Sequence, residues 1–97
     1  MHATMRHYTD LDRGAIAELV RRQAEVVALL RQTPGFAQYD LIQTPDGMTT
    51  VTLCASEAGC AESNRRVAAW VKEHMATMLP TPPQIVHGVD VIHATAA

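Results

Sequence analysis

The order of strand-like and helix-like segments in this 97-residue chain predicts an α+β fold of the ferredoxin-like type. Three observations support this prediction. Two runs rich in β-branched residues flank a Pro-Asp-Gly turn, a long helical pattern stands on each side of that pair, and short β-rich segments open and close the chain. With right-handed crossovers, the resulting βαββαβ order gives a four-stranded antiparallel sheet in the order 4-1-3-2, with two helices on one face. We expect residues 1–97 to form a single domain.

The first strand and the first helix occupy the N-terminal third of the chain. Residues 4–10, TMRHYTD, combine Thr and Tyr and end in a turn-forming Asp, which is typical of a strand. Residues 12–32 carry apolar side chains at steps of three and four, and Asp10 or Asp12 can cap the helix that this pattern predicts. The inward stripe of that helix is expected to contain Ile16, Leu19, Val20, Gln23, Val27 and Leu30. A Pro-Gly pair then ends the helix.

The second half of the chain begins with a predicted β-hairpin. Residues 36–44 and 48–55 are its strands, and the Pro-Asp-Gly between them supplies the turn. Ser56 can cap a second helix that runs to about Leu79. The Pro-rich connector that follows cannot continue a helix, and the alternating, Val/Ile-rich residues 84–94 predict the last strand.

The composition argues against several classes of partner. Eight basic and ten acidic residues give a net charge of −2, which lacks the basic excess typical of nucleic-acid-binding domains. No apolar run approaches the roughly 18 residues of a membrane span, and no secretory signal is present, so we expect a cytoplasmic protein that does not enter a membrane. Cys54 and Cys60 fit neither a disulfide framework nor a zinc site, and we expect both to be buried as small apolar side chains.

Alternation in the last strand predicts an apolar sheet face without a cover. Ile85, Val89 and Val91 fall on one side of this strand, and Val86 and Ile92 fall on the other. The two helices can cover only one of these sides, and soluble monomers seldom expose a large apolar patch. We therefore expect a homodimer in which the open sheet faces pack together.

Three short segments accompany the βαββαβ order: RHY in the first strand, PGF after the first helix, and ESNRRVAAWVKEHM in the second helix. In this combination the chain resembles the dimeric α/β-barrel superfamily and, within it, the small antibiotic-biosynthesis-monooxygenase-like proteins. The resemblance covers nearly the whole chain. It implies a homodimer with one pocket per subunit between the helices and the sheet. The enzymes of the group oxidise phenols, quinols or haem with O₂, often without metal or flavin.

The haem-degrading members of that superfamily use an Asn on the first strand and, on the second helix, a Trp and a His separated by several turns. Here the first strand presents Thr4, Arg6 and Tyr8 on one face and contains no Asn. Trp70 and His74 are only four residues apart. The sequence therefore argues against haem degradation.

Three polar or aromatic residues share the predicted apolar stripe of the second helix. At about 100° per residue, Asn64, Trp70 and His74 fall on the same side as Val67 and Val71. Buried polar groups need partners, so the three are either hydrogen-bonded core residues or the wall of a ligand pocket. In a pocket, His74 could be the base that ionises a phenol, because imidazoles exchange protons near neutral pH. Trp70 could stack on a planar substrate, and Asn64 could hold its oxygen.

Four further residues are candidates for substrate binding. They are Gln23 on the facing stripe of the first helix, Tyr39 and His87 on strands, and Arg6, which could bind an anionic group. A solvated or salt-bridged role stays open for Arg6. No two of the five histidines have the four-residue spacing of helical metal ligands, so we expect neither a metal nor a cofactor. A metal site built across strands stays open as an alternative.

These observations support three hypotheses for function. The leading one is a cofactor-independent, monooxygenase-like protein that acts on a planar aromatic small molecule, such as a phenol, a quinol or a polyketide, in a helix–sheet pocket. The alternative is a non-catalytic small-molecule-binding or stress-response protein on the same fold. The third is an interaction dimer whose inward stripe is dry core.

Overall fold

The computed structural model describes all residues from Met1 to Ala97. The chain forms β1 (His2–Thr9), α1 (Ala15–Arg21), α2 (Gln23–Arg31), β2 (Phe36–Thr44), β3 (Gly47–Cys54), α3 (Glu57–His74) and β4 (Gln84–Val89). The four strands form one antiparallel sheet in the order β2-β3-β1-β4. Read from the opposite edge, this is the predicted order 4-1-3-2. The ferredoxin-like fold class is confirmed.

The β2–β3 hairpin forms where the Pro-Asp-Gly turn predicts it. β2 ends at Thr44 and β3 begins at Gly47, so Pro45 and Asp46 form the loop. The Thr44 hydroxyl donates a hydrogen bond to Asp46 Oδ1 at 2.9 Å. Gly47 is required because a Cβ atom at this position would collide with the carbonyl oxygen of Tyr8 on the neighbouring strand.

The prediction of one continuous helix over residues 12–32 is wrong, because α1 and α2 meet at Arg22. The backbone of Arg22 leaves the helical region, with φ −99° and ψ 13°. Its side chain donates to Glu18 Oε2 at 2.9 Å, and its guanidinium carbon lies 6.0 Å from the ring centroid of Trp70. The structure therefore has three helices instead of two.

The inward stripe of α1 and α2 agrees with the predicted one only in part, at Leu19 and Leu30. The buried residues are Ala15, Leu19, Val26 and Leu30, whereas Val20 and Gln23 are exposed. Apolar residues surround this segment so broadly that periodicity alone does not select the buried face.

Side-chain oxygens satisfy free backbone N–H groups where α1 and α3 begin. Asp12 Oδ1 accepts a hydrogen bond from the N–H of Gly14 at 2.9 Å, one residue before α1. The helix itself has no side-chain cap, so the prediction that Asp10 or Asp12 caps it is wrong. Ser56 Oγ accepts from the N–H of Gly59 at 3.0 Å in the first turn of α3. The prediction that Ser56 caps this helix is confirmed.

The last strand ends at Val89, so the prediction of a strand over 84–94 is too long. Its partner β1 begins at His2, which lies directly opposite Val89. One further backbone hydrogen bond joins the N–H of Asp90 to the carbonyl of Met1 at 2.9 Å.

Alternation along β1 separates a helix-facing side of the sheet from an open side. Thr4, Arg6 and Tyr8 are buried beneath the helices, whereas Met5 and His7 are only half-buried. The cross-strand register carries this division over all four strands. The open side carries the apolar residues Ala3, Met5, Ile42, Val51, Leu53 and Val86.

The core lies between the helix-facing side of the sheet and the helices. It consists of Tyr8, Ala15, Leu19, Val26, Leu30, Met48, Val67, Trp70, Met75 and Leu79. Cys54 and Cys60 are buried free thiols, as the sequence predicts. Burial, together with the neighbouring Cys60 thiol, raises the pKa of Cys54 to about 11, so this thiol is protonated at neutral pH. None of the helices combines the length and the apolarity needed to cross a membrane.

Candidate functional site

A pocket of about 460 Å³ lies between α3, the β1–β4 margin of the sheet and the Pro-rich connector that follows α3. This volume is within the range of small-molecule sites. Apolar walls come from Ala68 and Val71 on α3, from Leu79 and from Ile85 on β4. The polar lining residues are Arg6, Tyr8, Asn64, Lys72 and Thr81.

The pocket exists because α3 covers β1 and β3 but leaves β4 bare. Every residue of β4 is exposed, including Ile85, which lies on the helix-facing side opposite Arg6. α3 ends at His74, well before the predicted end near Leu79, and the prolines of the connector prevent the helix from resuming. The connector closes one side of the pocket.

The innermost polar group of the pocket is the guanidinium of Arg6, whose residue is only 2% exposed. Arg6 Nη1 donates to Asn64 Oδ1 at 3.0 Å. Asn64 Nδ2 in turn donates to Thr4 Oγ1 at 3.0 Å, so a short network joins β1 to α3. The other two nitrogens of the guanidinium, Nε and Nη2, are buried and have no hydrogen-bond partner. Buried polar groups in this condition are rare in folded proteins.

Arg6 also has no counter-ion. None of the ion pairs in the structure includes Arg6. The pocket lining contains a second cation, Lys72, and no Asp or Glu. The pocket is therefore positively charged.

The two tyrosines beside the guanidinium do not neutralise it. Burial raises the pKa of Tyr8 above its usual range, and the positive charge of Arg6 offsets only a part of that shift. The pKa of Tyr39 is raised for the same reason, with Arg6 again opposing. Both phenols are therefore neutral at neutral pH, and the guanidinium stays uncompensated.

A small void of about 10 Å³ lies on the core side of Arg6. Tyr8, Tyr39, Thr50 and Trp70 are among the residues that line it. This volume holds one water molecule at most. The hydroxyl of Thr50, which lies opposite Arg6 on β3, is buried without a partner, so the polar centre of the sheet is incompletely hydrogen-bonded.

Of the residues predicted from the sequence, the structure brings Arg6 and Asn64 together in this pocket. Trp70 is buried in the core and lines the void instead of the pocket. His74, the last residue of α3, is exposed, with its ring centroid 5.1 Å from that of Trp70 and its Nε2 3.7 Å from Glu73 Oε2. The predicted grouping of Asn64, Trp70 and His74 on one buried wall is therefore wrong, because Asn64 lines the pocket, Trp70 lies in the core and His74 is exposed.

Gln23 lines a different recess from Asn64. A recess of about 320 Å³ lies between the α1–α2 junction and β2, and its lining includes Gln23 and Tyr39. Tyr39 faces the helices opposite Thr52 and reaches both this recess and the void beside Arg6. Gln23 is exposed and lies outside the Arg6 pocket.

His87 lies on the helix-facing side of β4, opposite Thr4. It lines a third recess of about 220 Å³, together with His2, Glu57 and Cys60. No three His, Cys, Asp or Glu side chains anywhere in the chain approach closely enough to hold a metal ion.

Sequence reasoning missed Tyr8, Lys72 and the connector as parts of the pocket. Tyr8 is two residues from Arg6 on the same strand, so the alternation of β1 could have identified it. Lys72 lies two turns after Asn64 on α3, on the same side of the helix as the pocket. The connector could not have been placed, because its path depends on where α3 ends.

No protein-family profile matches the sequence, and no curated protein matches it significantly. Solved structures do share its architecture. A monooxygenase from the gene ActVA-Orf6 of Streptomyces coelicolor, in complex with Nanaomycin D, superposes with a TM-score of 0.69 at 17% identity, over 99% of this chain and 91% of its own. The fold is that of the antibiotic-biosynthesis-monooxygenase-like proteins.

Two other solved structures that share the fold are a haem-degrading protein and a protein of unknown function. The haem-degrader MhuD from Mycobacterium tuberculosis, with two haems bound in its active site, has a TM-score of 0.71 at 20% identity, over 98% of this chain and 100% of its own. A protein of unknown function from Nitrosomonas europaea has a TM-score of 0.73 at 21% identity, over 99% and 93% of the two chains. At such identities the likeness establishes the fold, and the chemistry has to be argued from the pocket.

Proposed function

We propose that this chain is a cofactor-independent, monooxygenase-like protein that acts on a planar aromatic small molecule, such as a phenol, a quinol or a polyketide. The observation that carries the proposal is the pocket, in which apolar walls lead to a buried guanidinium. Apolar walls accommodate a ring and O₂, and a small set of polar groups fixes one oxygen of the ring. A monooxygenase with the same fold supports the assignment.

The proposed reaction needs no external reductant. A phenol with a free para position and one O₂ give a quinone and one water. One oxygen atom enters the ring, and the other leaves with the two hydrogens that the C–H and O–H bonds supply. The reactive form is the phenolate, whose electron-rich ring reduces O₂. A water-poor wall protects the intermediates from side reactions.

Within this reaction, Arg6 would stabilise the phenolate oxygen and Asn64 would hold the guanidinium in place. His74 was predicted as the base, but it lies outside the pocket. Its role in proton abstraction stays a prediction. With His74 excluded from the wall, the phenolic proton would leave to solvent at the pocket mouth.

Oxygen uptake with a panel of naphthols and polycyclic quinols tests this function. Ala68→Trp would fill the pocket from the exposed side of α3, and Ala69→Trp is the matched control, because Ala69 is also exposed but lines no part of the pocket. We expect oxygen uptake by the wild type and by Ala69→Trp, and its loss in Ala68→Trp. No uptake with any member of the panel would contradict catalysis, and equal uptake by both variants would contradict the assignment to this pocket.

A non-catalytic binding protein is the second candidate. It is favoured by one observation: the pocket wall holds neither a histidine nor a carboxylate that could serve as a base. Ligands that raise the melting temperature in the wild type but not in Ala68→Trp, without oxygen uptake, would support this alternative over catalysis.

The proposal includes a homodimer formed through the open side of the sheet. Ile42 and Val86 on this side are 51% and 50% exposed, and apolar residues of β1 and β3 lie between them. Contiguous apolar residues on an exposed sheet face often mark an interface with another protein. A two-fold axis through the sheet would bury it against an identical surface.

A further inference from the structure

Burial of Arg6 without a counter-ion indicates which ligands the pocket selects. A charged guanidinium removed from water is strongly unfavourable unless it is paired and hydrogen-bonded. Here the neutral amide oxygen of Asn64 accepts from Nη1 at 3.0 Å, and the Tyr39 phenol close to the guanidinium is neutral as well. A water in the neighbouring void could accept one more hydrogen bond, but it would supply no charge.

None of the charged and titratable groups near Arg6 neutralises the positive charge of its guanidinium. Tyr8 and Tyr39 are neutral because burial raises their pKa, and Lys72 on α3 adds a second positive charge. The partners of Arg6 on β3 and β4, Thr50 and Ile85, are uncharged. The carboxylate of Asp10 accepts a hydrogen bond from the Thr81 hydroxyl at 3.1 Å, but Asp10 is not part of the pocket wall.

We propose that the pocket binds its aromatic ligand as an anion, with the Arg6 guanidinium as the counter-ion of a deprotonated ring oxygen. This inference rests on the proposed aromatic-binding function and specifies its substrate class: acidic phenols and hydroxyquinones, not neutral aromatics. The amide oxygen of Asn64 accepts from Nη1 and holds the guanidinium in place, so the ligand oxygen would pair with the unpartnered Nε and Nη2. A planar guanidinium suits such an oxygen, because its N–H groups form a fork of parallel donors.

The inference also accounts for the lack of a base in the pocket. A positive charge favours an ionised ligand, but burial opposes ionisation, as it does at Tyr8 and Tyr39. A ligand that is already ionised in water, such as a hydroxyquinone, needs no proton acceptor in the wall. The proton goes to solvent, and the ligand oxygen keeps the electron pair.

Two matched pairs of probes test the inference by calorimetry without oxygen uptake. The first pair is 2-hydroxy-1,4-naphthoquinone, which is ionised at neutral pH, and its neutral ether 2-methoxy-1,4-naphthoquinone. The second pair, 2-naphthoate and 2-naphthamide, distinguishes a carboxylate from a ring oxygen as the source of the charge. In the wild type we expect the ionised hydroxyquinone to bind at least about tenfold more tightly than the ether, because only the ionised ligand forms a charge pair with Arg6.

Arg6→Gln removes the charge but keeps a polar side chain, and we expect it to abolish this tenfold preference for the ionised hydroxyquinone over the ether. Arg65→Gln is the matched control, because it removes one positive charge from an exposed position of α3 outside the pocket. Arg6→Lys keeps the charge without the fork, so it should keep part of the preference. Circular dichroism of each variant checks that it is folded.

The possible outcomes separate the inference from the function on which it rests. Equal binding of the hydroxyquinone and the ether by the wild type would overturn the anion inference and leave aromatic binding intact. Binding of neither would overturn both. If the wild type prefers naphthoate over naphthamide but does not prefer the hydroxyquinone over the ether, the pocket selects a ligand carboxylate instead of a deprotonated ring oxygen. An equal loss in Arg6→Gln and Arg65→Gln would show that general electrostatics, not this site, is responsible. If Arg6→Gln does not fold, the wild-type comparison and Arg6→Lys still decide the matter.

Discussion

Replacing Thr50 with Val should stabilise the protein. Thr50 is 2% exposed, and its hydroxyl is buried without a hydrogen-bond partner. Burial of an unpartnered hydroxyl costs about 1–3 kcal/mol. Val has nearly the same shape without the polar atom, so we expect a gain of about 1 kcal/mol in the free energy of unfolding. For a domain of this size, that gain corresponds to a rise of about 4–8 °C in melting temperature.

Thr4→Val is the matched control for this prediction. Thr4 is 1% exposed and lies on the same side of the sheet, on the adjacent strand. Its hydroxyl accepts from Asn64 Nδ2 at 3.0 Å and lies 3.3 Å from Asn64 Oδ1. The same substitution here should therefore destabilise the protein by about 1–3 kcal/mol.

Chemical denaturation of the wild type and both variants measures the difference. The two variants should move in opposite directions, by a total of about 2 kcal/mol or more, which exceeds the uncertainty of the method. If Thr50→Val loses as much stability as Thr4→Val, the Thr50 hydroxyl has a partner in solution, such as a water in the neighbouring void. The reasoning about an unsatisfied polar centre would then be refuted.

Three further predictions follow from the fold and the site. Val51→Lys, on the open side of the sheet, should convert the proposed dimer into monomers in light scattering; an unchanged mass would rule out this interface. Asn64→Leu should lower the free energy of unfolding by about 1–3 kcal/mol because it removes the amide acceptor for Arg6, whereas a dry apolar core would make it neutral or stabilising. Hydrogen bonds from two arginines lower the pKa of Glu18 from 4.5 to about 2. The stabilising effect of the Glu18 carboxylate should therefore be complete above about pH 4.5 and be lost as the pH falls towards 2. Glu18→Gln should remove this part of the acid dependence of the melting temperature.

The sheet could be predicted from the sequence because its signals are local. The Pro-Asp-Gly turn fixes the hairpin, and the alternation of β1 already separates Thr4, Arg6 and Tyr8 from their neighbours. The break at Arg22 could not be predicted from its neighbours alone, because its guanidinium lies near Trp70 on α3 as well as bonding to Glu18. Contacts between distant segments leave no periodic trace in the sequence.

The site was harder to predict than the fold for a related reason. Helical arithmetic places His74 on the same stripe as Trp70, but the stripe does not reveal where packing stops. Arg6 and Asn64, 58 residues apart, meet only because α3 crosses over β1. The burial of Arg6 could not be predicted either. An arginine on a strand is usually solvated or salt-bridged, whereas Arg6 is buried with two unpartnered nitrogens.

The bare margin of the sheet at β4 has a kinetic consequence. Every residue of this strand is exposed, and no helix lies over it, so the pocket is reached from the side without the opening of a lid. Ligand association should therefore be a single step, with an observed rate that rises linearly with ligand concentration and shows no plateau. In such a protein, the residence time of a ligand depends on how firmly its oxygen is held at the inner end, and differences among ligands should appear in the rate of dissociation.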